Sequence, residues 1–181
     1  MTDTSDGAAV GAVVVGTGFG LFTHVRALRE AGFDVRAIIG RDLDKTRSRA
    51  APLGIPLAAN DLPRVLAEDP AIRLVTVATP PHAHHTPVMQ AIAAGRHVVC
   101  EKPFARDLVE ARAMRAAAEQ AGVVHALGAE FRYDSAQALL ARVVRAGAIG
   151  QPLMFHRIYQ QPGGDQSEPL ADWWTDAAQG G

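Results

Sequence analysis

Cysteine is nearly absent. Cys100 stands alone among 181 residues, so no internal disulfide framework can form, and a reducing, cytoplasmic setting is expected. An excess of either charge is absent too. Eighteen Lys+Arg face 19 Asp+Glu, which gives no chain-wide cationic face for nucleic acid and leaves room only for local basic patches. Long apolar runs are missing, since none approaches the roughly 20 residues of a membrane span. The opening MTDTSDGAA is polar and acidic, without the basic start and apolar centre of a signal peptide. Residues 1–7 are expected to form a loose tail, and neither a membrane nor a nucleic-acid partner is expected.

The chain does have short runs of small and β-branched apolar residues, at 10–15, 35–39, 74–78, 97–100 and 123–127. Helical patterns fill the intervals. The stretch 21–31 ends at Gly32, 43–53 at Gly54, 84–94 at Gly95 and 105–121 at Gly122, while Pro70 closes the short stretch 62–68. Glycine after a helix supplies the left-handed cap, and proline prevents continuation. Valine-rich strands alternating with helices predict an α/β fold, a doubly wound parallel sheet covered on both faces. The length is enough for one complete core and part of a second. Ligands of such sheets gather at the carboxyl ends of the strands, so the residues just after each run are the candidates.

After the first run comes Gly16-Thr17-Gly18-Phe19-Gly20. Gly16 can take the tight turn out of the strand. Gly18 lacks a Cβ, so a pyrophosphate can lie against its backbone, and the helix beyond supplies N–H groups and partial positive charge. The usual third small residue falls at Leu21, with Gly20 one position early, so helix–strand packing has to accommodate a leucine. An ordinary strand–helix turn that binds nothing is the alternative.

After the second run stand Gly40, Arg41 and Asp42. A dinucleotide sheet normally carries here an acid that hydrogen-bonds the adenosine ribose. Gly40 takes its place, and Arg41 can pair with a 2′-phosphate, with help from Lys45 or Thr46. This favours NADP over NAD. In the alternative, Arg41 is a solvated loop residue and Asp42 meets the ribose.

After 74–78 comes Thr79-Pro80-Pro81-His82-Ala83-His84-His85. Three histidines suggest zinc, but no cysteine is near, the spacing fits no usual ligand pair, and His84 and His85 open a helix pointing different ways. No metal is expected. After 97–100 come Glu101, Lys102 and Pro103. Blind to context, Glu101 and Lys102 are a surface ion pair. At the mouth of a parallel sheet, Lys102 can instead exchange a proton with a substrate hydroxyl. Cys100 sits inside the strand end, a poor place for a nucleophile.

Three segments in this order resemble the Gfo/Idh/MocA family of nicotinamide-dependent oxidoreductases: Gly16–Gly20 with His24, Thr79-Pro80-Pro81 followed by His84, and 94–99 leading into Glu101-Lys102-Pro103. The resemblance implies a Rossmann-type sheet with an incomplete α+β second domain. It implies hydride transfer between a nicotinamide cofactor and a sugar, cyclitol or related polyol. Lys102 would be the catalytic proton relay, touching substrate and nicotinamide ribose. Thr79, Pro80, Pro81 and His84 would line the cofactor, and Glu101 would hold Lys102 and the ribose edge. A different Rossmann protein, such as a homoserine-type or aldehyde dehydrogenase reductive domain, would lack Glu101-Lys102-Pro103 at this spacing, and a non-catalytic NAD(P)-binding module is the remaining alternative.

Beyond the first domain (residues 1–128), Glu130-Phe131-Arg132-Tyr133 resembles the family's crossing into its second domain. The stretch 134–146 reads as an amphipathic helix with Leu139, Leu140, Val143 and Val144 on its apolar side, and 153–159 as the first strand of a substrate-side sheet. Residues 129–181 would be only the start of that domain. The tail from 160, including Trp173 and Trp174, is expected to be poorly ordered. The chain reads as a fragment with little turnover of its own, whose full-length form is a homo-oligomer.

Overall fold

The computed structural model describes residues 9–158 and 176–179. These divide into two units, one holding the residues up to Gly128 together with 176–179, the other beginning at Ala129.

The first unit is built on a six-stranded sheet. Its strands are β1 (Gly11–Val15), β2 (Asp34–Ile39), β3 (Leu57–Ala59), β4 (Ile72–Val77), β5 (His97–Glu101) and β6 (His125–Gly128). Every pairing is parallel, and the order is β3-β2-β1-β4-β5-β6. The helices are α1 (Val25–Glu30), α2 (Leu43–Ala50), α3 (Leu62–Glu68), α4 (His85–Ala93) and α5 (Leu108–Ala121). The alternation of runs had implied this architecture, and the strand order is that of the Rossmann type.

Alternate strand residues feed opposite faces, as a pleat requires. Val13, Val15, Ala37, Ile39, Val75, Val77, Val98 and Cys100 pack on one side with Leu62, Val65 and Leu66 of α3, Val88, Ala91 and Ile92 of α4, and Met114 and Ala118 of α5. Ala12, Val14 and Ile38 pack on the other with Leu21, Val25, Leu28 and Ala50. A sheet buried on both faces explains why β1 reads as an unbroken apolar run.

The topology also fixes where a ligand can go. From β1 the chain builds outward to β2 and β3, then crosses back to place β4 on the other side of β1. That reversal falls between the carboxyl ends of β1 and β4, the place where sheets of this kind take their ligands.

Three departures from the sequence expectation have a clear physical cause. Strand β3 was not anticipated. Its Leu-Ala-Ala pairs with Ala37, Ile38 and Ile39 at the sheet edge, where a strand is only partly covered and needs no long apolar run. The helix after the glycines opens with a π-helical turn over Gly20–His24 before α1 begins. Helix α5 starts at Leu108 rather than 105, because the Asp107 carboxylate caps it by accepting the Glu110 N–H at 2.8 Å.

In the second unit, α6 (Ser135–Arg145) is capped by Asp134, which accepts the N–H groups of Ala136 and Gln137 at 3.1 and 3.3 Å. Its Leu139 and Leu140 remain about half exposed. The strand expected at 153–159 does not form through residue 158. Leu153 and Met154 are 94% and 86% exposed, and a strand without a partner leaves its backbone groups unpaired. Residue 159, the stretch 160–175 with Trp173 and Trp174, residues 180–181 and the N-terminal 1–8 lie outside the described residues. No helix among the described residues is long and apolar enough to cross a membrane.

Candidate functional site

Four loops meet at the carboxyl edge of the sheet, and each glycine in the first has a different physical reason. Gly16 has φ +119°, and a Cβ there would come within 2.5 Å of the Ala78 carbonyl oxygen. The turn is wedged between its neighbours: Gly16 N–H donates to Ile39 O at 2.9 Å, and Ala78 N–H donates to Val15 O at 2.8 Å. At Gly20 a Cβ would meet Val14 Cγ1 at 2.9 Å and the Ala78 Cβ at 3.3 Å. The close approach of helix to strand is therefore made by Gly20, which corrects the expectation that Leu21 sits there. Leu21 instead joins the second face of the core. Gly18 is unlike both. Its φ is not in the left-handed region, and no atom lies within 4 Å of where its Cβ would be. Neither backbone conformation nor packing among the described residues requires glycine at 18.

The loop after β2 is braced against this turn. A Cβ on Gly40 would collide with Thr46 Oγ1 and come within 2.6 Å of Thr17 Cγ2. Thr46 is buried and donates to the Asp42 carbonyl at 2.5 Å. The Asp42 carboxylate accepts the Lys45 N–H at 3.0 Å and so caps α2. One turn further along, Arg49 Nη1 donates to the Thr17 carbonyl at 2.6 Å. The sequence reading did not single out Arg49, although the Thr46–Arg49 spacing puts both on one face of α2. Arg41 is exposed.

In the loop after β4, Thr79 Oγ1 donates to Ala83 O at 3.1 Å, Pro80 leads into a tight turn over Pro81–Ala83, and Pro81 is buried. His84 is wholly buried. Its Nε2 donates to Thr79 O at 2.6 Å, and its Nδ1 lies 3.3 Å from Phe104 O. With no exposed surface and both nitrogens at main-chain carbonyls, the ring braces the 79 loop against the 104 loop. His82 is exposed and His85 half-buried. Among the described residues no three His, Cys, Asp or Glu side chains are arranged to hold a metal ion.

The end of β5 and the loop after it carry the charged groups. Glu101 is 8% exposed. His24 Nε2 donates to its Oε1 at 3.1 Å, and the Lys102 N–H donates to its Oε2 at 3.2 Å. Lys102 Nζ lies 4.0 Å from the same Oε2 and 5.7 Å from the centroid of the Phe19 ring. Phe19 in turn meets His24 edge to face at 5.9 Å. Burial alone would push the Glu101 carboxyl up. The His24 and Lys102 N–H hydrogen bonds, with the charges of both residues, outweigh it and hold the group below its ordinary range. The Cys100 thiol is pushed up to about 12 by burial and by the Glu101 charge, so it is no nucleophile at neutral pH.

The structure thus brings Gly16–Gly20, Gly40–Asp42, Thr79–Pro81 and Glu101–Lys102 to one edge, with Phe19 beside Gly18 lying under the Lys102 amine. The sequence places His24 in a motif but carries no local signal for its pairing with Glu101 across 77 residues.

Comparison with known proteins agrees with this geometry. The family model described as "Oxidoreductase family, NAD-binding Rossmann fold" matches residues 10–129. The chain is 38% identical over 109 residues to a levoglucosan dehydrogenase of Pseudarthrobacter phenanthrenivorans, covering 60% of this chain and 28% of that protein. It is 34% identical over 140 residues to a D-apiose dehydrogenase of Paraburkholderia graminis, covering 77% and 37%. A solved levoglucosan dehydrogenase in complex with NADH and levoglucosan superposes with a TM-score of 0.72 at 28% identity, over 79% of this chain and 41% of that one. The chain spans less than half the length of these relatives. The open glycine turn, the strand order and the matched family model together make this chain a member of the Gfo/Idh/MocA oxidoreductase family, with its NAD-binding Rossmann fold.

Proposed function

We propose that this chain binds a nicotinamide dinucleotide along the carboxyl edge of its sheet, as the nucleotide half of a dehydrogenase acting on a sugar, cyclitol or related polyol. The observation that carries the reading is Gly18. It is a glycine that the fold does not need, open on the side where a phosphate can approach backbone, two residues before the helical turn at Gly20–His24.

The residues take the following roles. Gly16, Thr17, Gly18, Phe19 and Gly20 seat the pyrophosphate. Gly40, Arg41 and Asp42 meet the adenosine ribose. With Asp42 engaged in capping α2 and no side chain at Gly40, Arg41 is the residue best suited to a 2′-phosphate, which favours NADP over NAD. Thr79 and Pro80 wall the groove on the β4 side, with the buried Pro81 and His84 behind them. When bound, the nicotinamide ring accepts or gives the hydride. Lys102 is the catalytic residue: its amine takes the proton from the substrate hydroxyl in oxidation and returns it in reduction. Glu101 holds that amine.

The sugar dehydrogenases among the relatives support the substrate class. Among the described residues no strand follows β6, and turnover by these 181 residues is expected to be low. Titration calorimetry with NADPH and NADH tests the reading. NADPH is expected to bind more tightly, and Arg41→Ala to weaken NADPH by about 10- to 100-fold while sparing NADH, the worth of one charge-assisted hydrogen bond. Failure of both nucleotides to bind overturns the proposal. Preference for NADH overturns its Arg41 part.

A further inference from the structure

The cluster around Glu101 contains a residue that the proposed proton relay does not use. Glu101 presents two oxygens. One is taken by His24, which comes from the helical turn after the glycines. The other faces residue 102, accepting its N–H at 3.2 Å and lying 4.0 Å from its amine. The His24 and Glu101 side chains are each about 10% exposed.

We infer that His24 is a positioning residue: by occupying Oε1 of Glu101 it aims Oε2 at residue 102, and so ties the place of the Lys102 amine to the place of the glycine turn. The functional consequence rests on the reading that Lys102 works at the reacting end of a bound dinucleotide.

A buried carboxylate has to fill its lone pairs, and one left with an empty oxygen turns or draws in another donor. Without His24, the Glu101 carboxylate can rotate and its second oxygen no longer has a fixed direction. The amine has a further support in the Phe19 ring, 5.7 Å below it, a distance at which a cation is attracted to the ring face. Phe19 precedes the same helical turn and stands edge to face with His24. Both of these supports lead back to the 19–24 segment, one directly and one through His24 and Glu101. A ligand that shifts the glycine turn therefore shifts the amine, although the two lie far apart in sequence.

The chain has a convenient reporter. Lys45 and Lys102 are its two lysines, so brief acetylation of the folded 181-residue protein, read by peptide mass spectrometry, gives a Lys102-to-Lys45 labelling ratio with its own internal reference. In His24→Ala the ratio is expected to rise about two- to five-fold, the worth of an exposed ion pair or cation–π contact. His24→Gln carries an amide nitrogen at the reach of Nε2 and should restore the ratio. His24→Asn, with the shorter reach of Nδ1, should not. General loosening raises both lysines together and leaves the ratio alone. An unchanged ratio in His24→Ala overturns the inference. Should that variant fail to fold, equal ratios in the Gln and Asn variants overturn it instead. NADPH binding measured on the same samples keeps the two readings apart. Loss of binding in the parent chain refutes the nucleotide site, whereas binding together with a His24-independent ratio refutes only the positioning role.

Discussion

Replacing Gly18 with alanine separates what the fold needs from what a ligand needs, and the neighbouring Gly16 supplies the control. At Gly18 an added methyl meets no atom within 4 Å, and the backbone is outside the left-handed region. Such a substitution reduces the freedom of the unfolded chain and is worth from nothing to about +1 kcal/mol of stability. For a domain of this size that is a rise of at most about 2–4 °C in Tm. The same methyl enters the space where the pyrophosphate is proposed to lie and pushes it off the backbone donors. Losing one or two charge-assisted hydrogen bonds costs about 1.5–3 kcal/mol each, a fall of at least about tenfold in affinity for NADPH. Gly16→Ala is the converse. A φ of +119° and a methyl 2.5 Å from the Ala78 carbonyl oxygen combine backbone strain of about 1–3 kcal/mol with overpacking of about the same size. That is a large share of a typical domain's 5–15 kcal/mol, so this variant should melt far below the parent. The assays are a thermal melt and a fluorescence titration with NADPH. A Gly18→Ala protein that melts normally and binds NADPH as tightly as the parent would refute the placement of the phosphates.

Two further outcomes follow from the end of β5. Cys100 is buried with its thiol pushed up to about 12, so iodoacetamide at mildly alkaline pH should leave it unmodified in the folded protein and label it fully in denaturant; rapid labelling of the native chain contradicts that burial. The Glu101 carboxyl is held below its ordinary value of 4.5, so its ionised contacts stabilise the fold fully above that value and are lost as the pH falls through the depressed folded value. The gap in Tm between parent and Glu101→Gln should accordingly be widest near neutrality and close in acid, and a gap that widens in acid reverses the sign of the argument.

Much of this architecture was legible because each strand is buried on both faces. Val13-Val14-Val15 reads as a central parallel strand from composition alone, and Gly32, Gly54 and Gly122 mark helix ends by the left-handed conformation they adopt. The carboxyl-edge rule then picked out the four loops. What escaped had non-local causes. Strand β3 is held by pairing with β2 and not by its own apolarity. Gly20 takes the packing role because the helix opens as a π-turn, a winding that no residue in 20–24 announces. The burial of His84 between two carbonyls depends on Phe104, twenty residues away. Glu101 finds His24 only when β1 and β5 are brought into one sheet. The failure of 153–158 to form a strand has the same origin, since pairing needs a partner.

The central claim is that one dinucleotide spans the edge from the glycine turn to the Lys102 amine. Backbone amide NMR of the 181-residue chain during NADPH titration tests it directly. The account predicts saturable shifts at Gly16–Gly20, Gly40–Asp42, Thr79, Glu101 and Lys102 together, with a single midpoint. Shifts confined to the apolar cavity of about 190 Å³ beside Phe104 and Met114, or no saturable shift at the glycine turn, would contradict it.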